Sequence, residues 1–168
     1  MDLQLAGQTV LVTGAAGSVG RSAVWMAKKM GATVIAGVRK KQVEEAKGIG
    51  ADAVVALDDT SALEKLGFVD AVADTVGGKT AEALLGKVKQ GGVFATVLGP
   101  PANAKMHPTV RVAPIQTVPD AALLRSMAED VAAKRLTIPI DRMLPLKDAG
   151  EAQAAAEKGG IGKVLLLA

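Results

Sequence analysis

Short apolar runs rich in Val, Ile and Ala alternate along this chain with longer segments whose apolar positions recur at helical spacing. Strands of a parallel sheet are buried on both faces and read as continuous apolar runs, so this alternation predicts strand and helix in turn. The runs place strands at Thr9–Thr13, Thr33–Val38, Ala53–Ala56, Val69–Asp74, Val93–Leu98 and Val110–Ile115. Helices are expected over Ser18–Met30, Lys41–Ile49, Thr80–Lys89 and Asp120–Lys134. In the first helix Val19, Ala23, Met26, Ala27 and Met30 share a stripe that is expected to face the sheet, leaving Trp25 beside it as a partly buried packing residue. Gly99, Pro100, Pro101 and the stretch ANAKMHP interrupt the rhythm, so a loop follows the fifth strand. After Ile138 the pattern changes to a short strand in DRMLPL, a helix over Lys147–Lys158 and a final apolar strand, GKVLLLA. The expected fold is α/β, a doubly wound parallel sheet with helices on both faces. A nucleotide-binding domain is expected over residues 1–138 and a C-terminal segment over 139–168.

Between the first strand and the first helix lies TGAAGSVG, a turn built from glycine and small residues. A strand, a glycine turn and a helix are the context of a dinucleotide-binding fingerprint. Gly17 and Gly20 match its last two glycines, while Ala15 holds the first position and Gly14 lies one residue earlier. In this variant Gly14 permits the sharp turn, Gly17 lets backbone approach a pyrophosphate, and Gly20 allows the helix to pack closely on the strand. N–H groups at the helix N-terminus would point at the anion. Gly14, Ala16, Gly17, Ser18, Val19 and Gly20 are thus the candidate phosphate-binding segment.

A fold of this kind that binds NAD places an acid about 20 residues past the glycines for the ribose hydroxyls. Here no Asp or Glu occurs between Asp2 and Glu44, and the second strand ends in Gly37 and Val38 followed by Arg39, Lys40 and Lys41. A carboxylate there would repel a 2′-phosphate, whereas a small residue beside cations would accept it. Gly37, Arg39 and Lys40 are the candidate 2′-phosphate site, and the cofactor expected is NADP(H). The missing acid also counts against a methyltransferase using S-adenosylmethionine.

Composition removes other classes. The chain has no cysteine and one histidine, which excludes disulfides, thiol chemistry and thiolate or multi-histidine zinc sites; no metal is expected. The net charge of +3, with two Phe and one Trp, leaves little surface on which bases could stack, so nucleic acid is not an expected partner. No apolar run reaches the roughly 18 residues of a membrane span, and MDLQLAGQ opens with an acid where a secretion signal is basic. No membrane partner and a cytoplasmic location are expected. The stretch ADTVGGKT fits a relaxed phosphate-loop pattern, with Lys79 and Thr80 in the phosphate and magnesium positions, but Asp74 would put negative charge in the cradle. Thr75–Gly78 reads better as a bend at the carboxyl edge of the sheet. A short-chain dehydrogenase would need a Tyr-x-x-x-Lys pair, and the chain has no tyrosine. His107 reads as a loop residue, with an acid's role near the reacting centre as its alternative.

The segments GQTVLVTGAAGSVGRSAVWMAKKMGATVIA, GAD at Gly50–Asp52, VDAVADTVGG, KQGGVFATVLG and MLPLKDAGEAQAAAEKGGIGKVLLL, in that order, resemble the medium-chain dehydrogenase/reductase superfamily in its zinc-independent quinone oxidoreductase branch. The resemblance implies a Rossmann domain of strand order 3-2-1-4-5-6, phosphate contacts at Gly17, Ser18 and Val19, and nicotinamide contacts near Thr75, Val76, Leu98 and Gly99. It implies NADPH-dependent reduction of a small-molecule quinone, enone or related carbonyl. It also implies a homodimer paired through the sixth strand, whose edge Pro108 and Pro114 flank. The family's barrel-like catalytic domain has no counterpart before Met1, so the chain is expected to bind cofactor and to turn over slowly alone, with residues 139–168 packing on that domain in complete members. A nucleotide-binding or sensing module without catalysis is the alternative, and the sequence names no catalytic residue.

Overall fold

The computed structural model describes residues 5–158 and 162–168. The opening MDLQ, with Asp2, and Gly159–Ile161 of the closing motif lie outside the described residues. The chain divides into two compact units, Met1–Ala121 and Ala122–Ala168.

The first unit holds six strands, β1 (Thr9–Thr13), β2 (Thr33–Val38), β3 (Ala53–Ala56), β4 (Val69–Asp74), β5 (Val88–Thr96) and β6 (Arg111–Pro114). Its helices are α1 (Ser18–Lys29), α2 (Val43–Ala46, entered through a 3-10 turn at Lys40–Gln42), α3 (Thr60–Lys65) and α4 (Gly78–Leu85). All the strand pairs are parallel, in the order β3-β2-β1-β4-β5-β6. This is the doubly wound Rossmann arrangement, and the order reverses between β1 and β4.

Alternation along β1 explains why both faces are covered. Val10 and Val12 point to one side, where they pack with Val24 and Ala27 of α1, Val34, Ala36 and Val38 of β2, and Ala46 of α2. Leu11 points to the other, into a cluster with Val72, Phe94 and Ala81, Leu84 and Leu85 of α4, bordered by Leu63 of α3. A strand with apolar residues on both faces is stable only between two helical layers.

Four departures from the sequence reading have physical causes. First, the buried stripe of α1 runs through Gly20, Val24 and Ala27, with Arg21 and Trp25 also buried, while Val19 is 56% exposed. A Cβ on Gly20 would stand 2.1 Å from the Gly14 carbonyl oxygen, so Gly20 is the point of closest approach and sets the phase of the helix. Trp25 also carries the Lys29 ammonium 4.5 Å from its ring centroid. Second, α3 was not expected; Asp59 caps it by accepting from the Ala62 N–H at 3.2 Å. Third, α4 ends at Leu85, and β5 begins at Val88 instead of Val93. Val88 pairs with Val69, and the next pairs resume at Ala71 with Val93, so Lys89–Gly92 bulge at the place where the helix was expected to end, Lys89. Fourth, Lys41–Ile49 gives only the 3-10 turn and the short α2.

The second unit contains most of α5 (Ala121–Ala132), then β7 (Ile140–Pro145), α6 (Ala149–Lys158, after a 3-10 turn at Leu146–Asp148) and β8 (Lys163–Leu167). The final strand pairs in parallel with β7. Ala152 of α6 is buried, and Arg135 closes the end of α5 through its guanidinium to Asp130, with Nε to Oδ1 at 2.8 Å.

Candidate active site at the carboxyl edge of the sheet

Strands of one direction bring all their carboxyl ends to one edge, and the crevice of such a sheet opens where the order reverses, between β1 and β4. The turn after β1 supplies Gly14–Gly20. Gly14 sits at φ +61°, which favours glycine, and a Cβ on it would meet Thr75 Oγ1 at 2.6 Å. Gly17 caps α1 with no side-chain partner, and its N–H bonds back to the Gly14 carbonyl at 2.9 Å. Gly17 and Val19 are exposed and Ser18 half-buried, and the first-turn N–H groups of a helix have no carbonyl one turn back to bond. The bare surface of the turn is therefore made of backbone donors, which suits an anion. Ala16 is buried, and its carbonyl accepts from Arg21 Nε at 2.9 Å.

Arg21 is a residue the sequence reading missed. Only 8% exposed, it holds the turn through Ala16 and pairs through Nη2 with Glu45 of α2. An arginine in the first turn of a helix reads as surface, and no local signal marks this one.

At the end of β2, Gly37 is buried and its carbonyl accepts from the Ala15 N–H at 3.1 Å. A Cβ there would meet Leu57 Cδ1 at 2.8 Å and the Val12 carbonyl oxygen at 3.1 Å, so the site is tight and a larger residue would push Leu57 aside. Arg39 is exposed and has no ion pair among the described residues. Lys40 differs, because the fold brings it two acids from the end of β3: its N–H bonds Asp58 Oδ1 at 2.6 Å and its ammonium bonds Asp59 Oδ2 at 3.1 Å. That ammonium, with the Ala62 N–H, holds the Asp59 carboxyl below the usual carboxylate value. Of the two basic candidates, Arg39 is the cation free to receive a ligand.

On the other side of the crevice stand Thr75, Val76, Leu98 and Gly99. Val76 and Leu98 are 46% and 61% exposed, large apolar groups on the rim, and Gly99 sits at φ +91°. They hang from a buried carboxylate, Asp74, which is 1% exposed. Asp74 Oδ1 accepts from Thr13 Oγ1 at 2.8 Å, the Val76 N–H at 3.2 Å and the Gly77 N–H at 3.1 Å, and Oδ2 accepts from Thr96 Oγ1 at 2.9 Å. The same bonds count against the phosphate-loop alternative: within ADTVGGKT the Val76 and Gly77 N–H groups are turned inward on Asp74. His107 is also placed. It stands against Gly86, at the end of α4 that returns to the amino edge, so the role of an acid beside the carboxyl-edge crevice does not fit it.

Among the described residues no group of three or more His, Cys, Asp or Glu could hold a metal, and no helix is long and apolar enough to cross a membrane.

Residues 49–166 match the zinc-binding dehydrogenase family. The chain is 38% identical over 114 residues to the trans-enoyl reductase tazE of Aspergillus terreus, covering 61% of this chain and 37% of that protein. To the putative quinone oxidoreductase YhfP of Bacillus subtilis it is 40% identical over 93 residues, 52% of this chain and 28% of that one. The solved quinone oxidoreductase of Coxiella burnetii superposes with a TM-score of 0.82 at 27% identity, over 97% of this chain and 53% of that structure. The chain thus spans about half the length of that structure and less of the curated relatives. By fold and by sequence it belongs to the zinc-binding dehydrogenase family of the medium-chain dehydrogenase/reductase superfamily, among relatives that are quinone oxidoreductases and enoyl reductases.

Proposed function

We propose that this chain is the NADP(H)-binding half of a zinc-independent oxidoreductase that reduces a small quinone, enone or related carbonyl. The observation that carries the reading is the glycine turn at the β1–β4 reversal. Gly20 and Gly14 occupy positions where a Cβ would strike backbone and Thr75, and Gly17 presents an uncovered helix N-terminus. Ser18 and Val19 would hold the pyrophosphate through backbone N–H groups, with Gly17, whose own N–H is bonded to Gly14, leaving room for its close approach, and Arg39 would hold the 2′-phosphate by a charge-assisted bond. Thr75, Val76, Leu98 and Gly99 would flank the nicotinamide, whose chemistry is hydride donation. The chain's own residues bind and orient, and exposed Val76 and Leu98 give that end of the crevice an apolar lining. The similarity to quinone oxidoreductases and enoyl reductases supports the acceptor class, and the half-length match supports a role shared with residues beyond those compared.

Calorimetric titration of NADPH and NADH tests the cofactor. NADPH is expected to bind about tenfold tighter, a difference of about 1.4 kcal/mol, and Arg39→Ala to remove most of it. Equal affinities, or selectivity unchanged in the variant, would refute the assignment of NADP(H). We also assign a homodimer through β6, the edge strand of the sheet, beside which Ile115 and Val118 are 51% and 78% exposed. Light scattering that finds a monomer at micromolar concentration would overturn it.

A further inference from the structure

We propose that Asp74 is a positioning residue for the nicotinamide end of the crevice, fixing its two rims, Thr75–Val76 and Leu98, through two threonine relays. This rests on the reading of the carboxyl edge as the cofactor crevice.

Proton bookkeeping gives the network a direction. Thr13 Oγ1 accepts from the Thr75 N–H at 2.9 Å, so its own hydrogen serves Asp74. Thr96 Oγ1 accepts from the Leu98 N–H at 3.1 Å, and its hydrogen likewise serves Asp74. Each hydroxyl has one hydrogen, so both are committed, and with the Val76 and Gly77 N–H groups four donors converge on one carboxylate. Every donor is neutral. A buried carboxylate without a cation is expensive unless its hydrogen bonds satisfy it, so the arrangement needs a purpose beyond filling space.

Holding the strands together does not exhaust that purpose. The β4–β5 ladder runs to its last pair, Asp74 with Thr96, and β1 pairs with β4 as far as Val12 with Ala73. The network begins where those ladders stop, and what it adds is the placement of residues 75–77 and 98. Thr75 Oγ1 is tied back to the Thr13 carbonyl at 2.8 Å, and its position against Gly14 leaves no room for a Cβ there. Leu98 lies over Gly77, whose Cβ would come within 3.1 Å of Leu98 Cδ1. One carboxylate thereby sets the glycine turn, the bend after β4 and the loop after β5 in a single register. An asparagine could keep the Oδ1 contacts but would offer an NH₂ to Thr96 in place of an acceptor, releasing the Leu98 rim first.

The test compares NADPH with 2′,5′-ADP, which carries the 2′-phosphate end but no nicotinamide, on wild type, Asp74→Asn, Thr96→Val and Thr96→Ser. Calorimetry gives the affinities, and the emission of bound NADPH reports the surroundings of its nicotinamide. Asp74→Asn and Thr96→Val are expected to weaken NADPH about tenfold and alter its emission, while 2′,5′-ADP stays within about twofold; Thr96→Ser, keeping the hydroxyl, behaves as wild type. Equal weakening of both ligands would make Asp74 merely structural, and unchanged NADPH binding and emission would also overturn the proposal. If Asp74→Asn fails to fold, the two Thr96 variants decide by the same criteria. A wild type that binds neither ligand overturns the cofactor reading itself, and is recognised before any variant is made.

Discussion

Asp70 and Asp74 lie on the same strand and each ties β4 to β1 and β5, but at opposite edges of the sheet and by different chemistry. At the amino edge Asp70 accepts from the Thr9 N–H at 2.8 Å and pairs with the Lys89 ammonium at 2.7 Å, with its side chain 27% exposed. At the carboxyl edge Asp74 is 1% exposed and takes only neutral donors. An exposed ion pair tolerates loss because water replaces the partner; a buried carboxylate does not, because its donors would be stranded. The amino edge is thus held by replaceable contacts, and the carboxyl edge, where the candidate site lies, by irreplaceable ones.

Glycines break the comparison most severely. Gly20→Ala drives a Cβ into the Gly14 carbonyl and Ala15 Cα, both backbone, so the helix must leave the strand. The expected destabilisation exceeds about 4 kcal/mol, with loss of NADPH binding. At the amino edge Gly31→Ala meets only Ala6 atoms at 3.4 Å, and its strain comes from φ +81°, worth about 1 kcal/mol. Urea unfolding of the two variants checks the contrast; comparable losses would show that the turn relaxes around Gly20.

That same glycine shows what the sequence made legible. The strands β1–β4 have the bounds their apolar runs suggested, and the order of the sheet matched the expectation from resemblance. The role given to Gly20 as the closest approach already fixed the phase 20, 24, 27, which the stripe through Val19 contradicted; periodicity alone could not choose between neighbouring phases in a helix rich in small residues. The cap at Asp59 and the short apolar spacing of Ala62, Leu63 and Leu66 were present in DDTSALEKLG, but six residues are too few for periodicity to register. The partners of Lys40 and of Arg21 were invisible for another reason. Asp58, Asp59 and Glu45 reach them only through strand pairing and helix packing, and a charge run in sequence says nothing of what the fold brings beside it.

Asp74→Ala against Asp70→Ala sharpens the comparison directly. The first strands four donors, two hydroxyls and two N–H groups, and is expected to cost about 3 kcal/mol after partial rescue by water. The second strands the Thr9 N–H at a wetter edge and frees Lys89, for about 1 kcal/mol or less. Unfolding midpoints at neutral pH measure both, and a larger loss at Asp70 would reverse the assignment of the two edges.

The smallest effect is in acid. Hydrogen bonding to the Lys89 ammonium, and next to the Thr9 N–H, lowers the Asp70 carboxyl from its ordinary 3.8. A carboxyl lowered on folding contributes stability that is complete above its unfolded value and is lost as pH falls through the folded one. The contribution should therefore persist at about pH 6 and fade below about pH 4. Lys89→Met removes the largest cause of the shift, so the variant should lose less stability than wild type between those two conditions. The difference should stay below about 1 kcal/mol, because both side chains meet solvent, and should shrink in about 0.5 M salt. Urea unfolding at the two pH values, with and without salt, provides the measurement. A variant that tracks wild type through the acid range would mean that the Thr9 N–H, rather than the ammonium, holds Asp70, and that both edges rest on neutral donors.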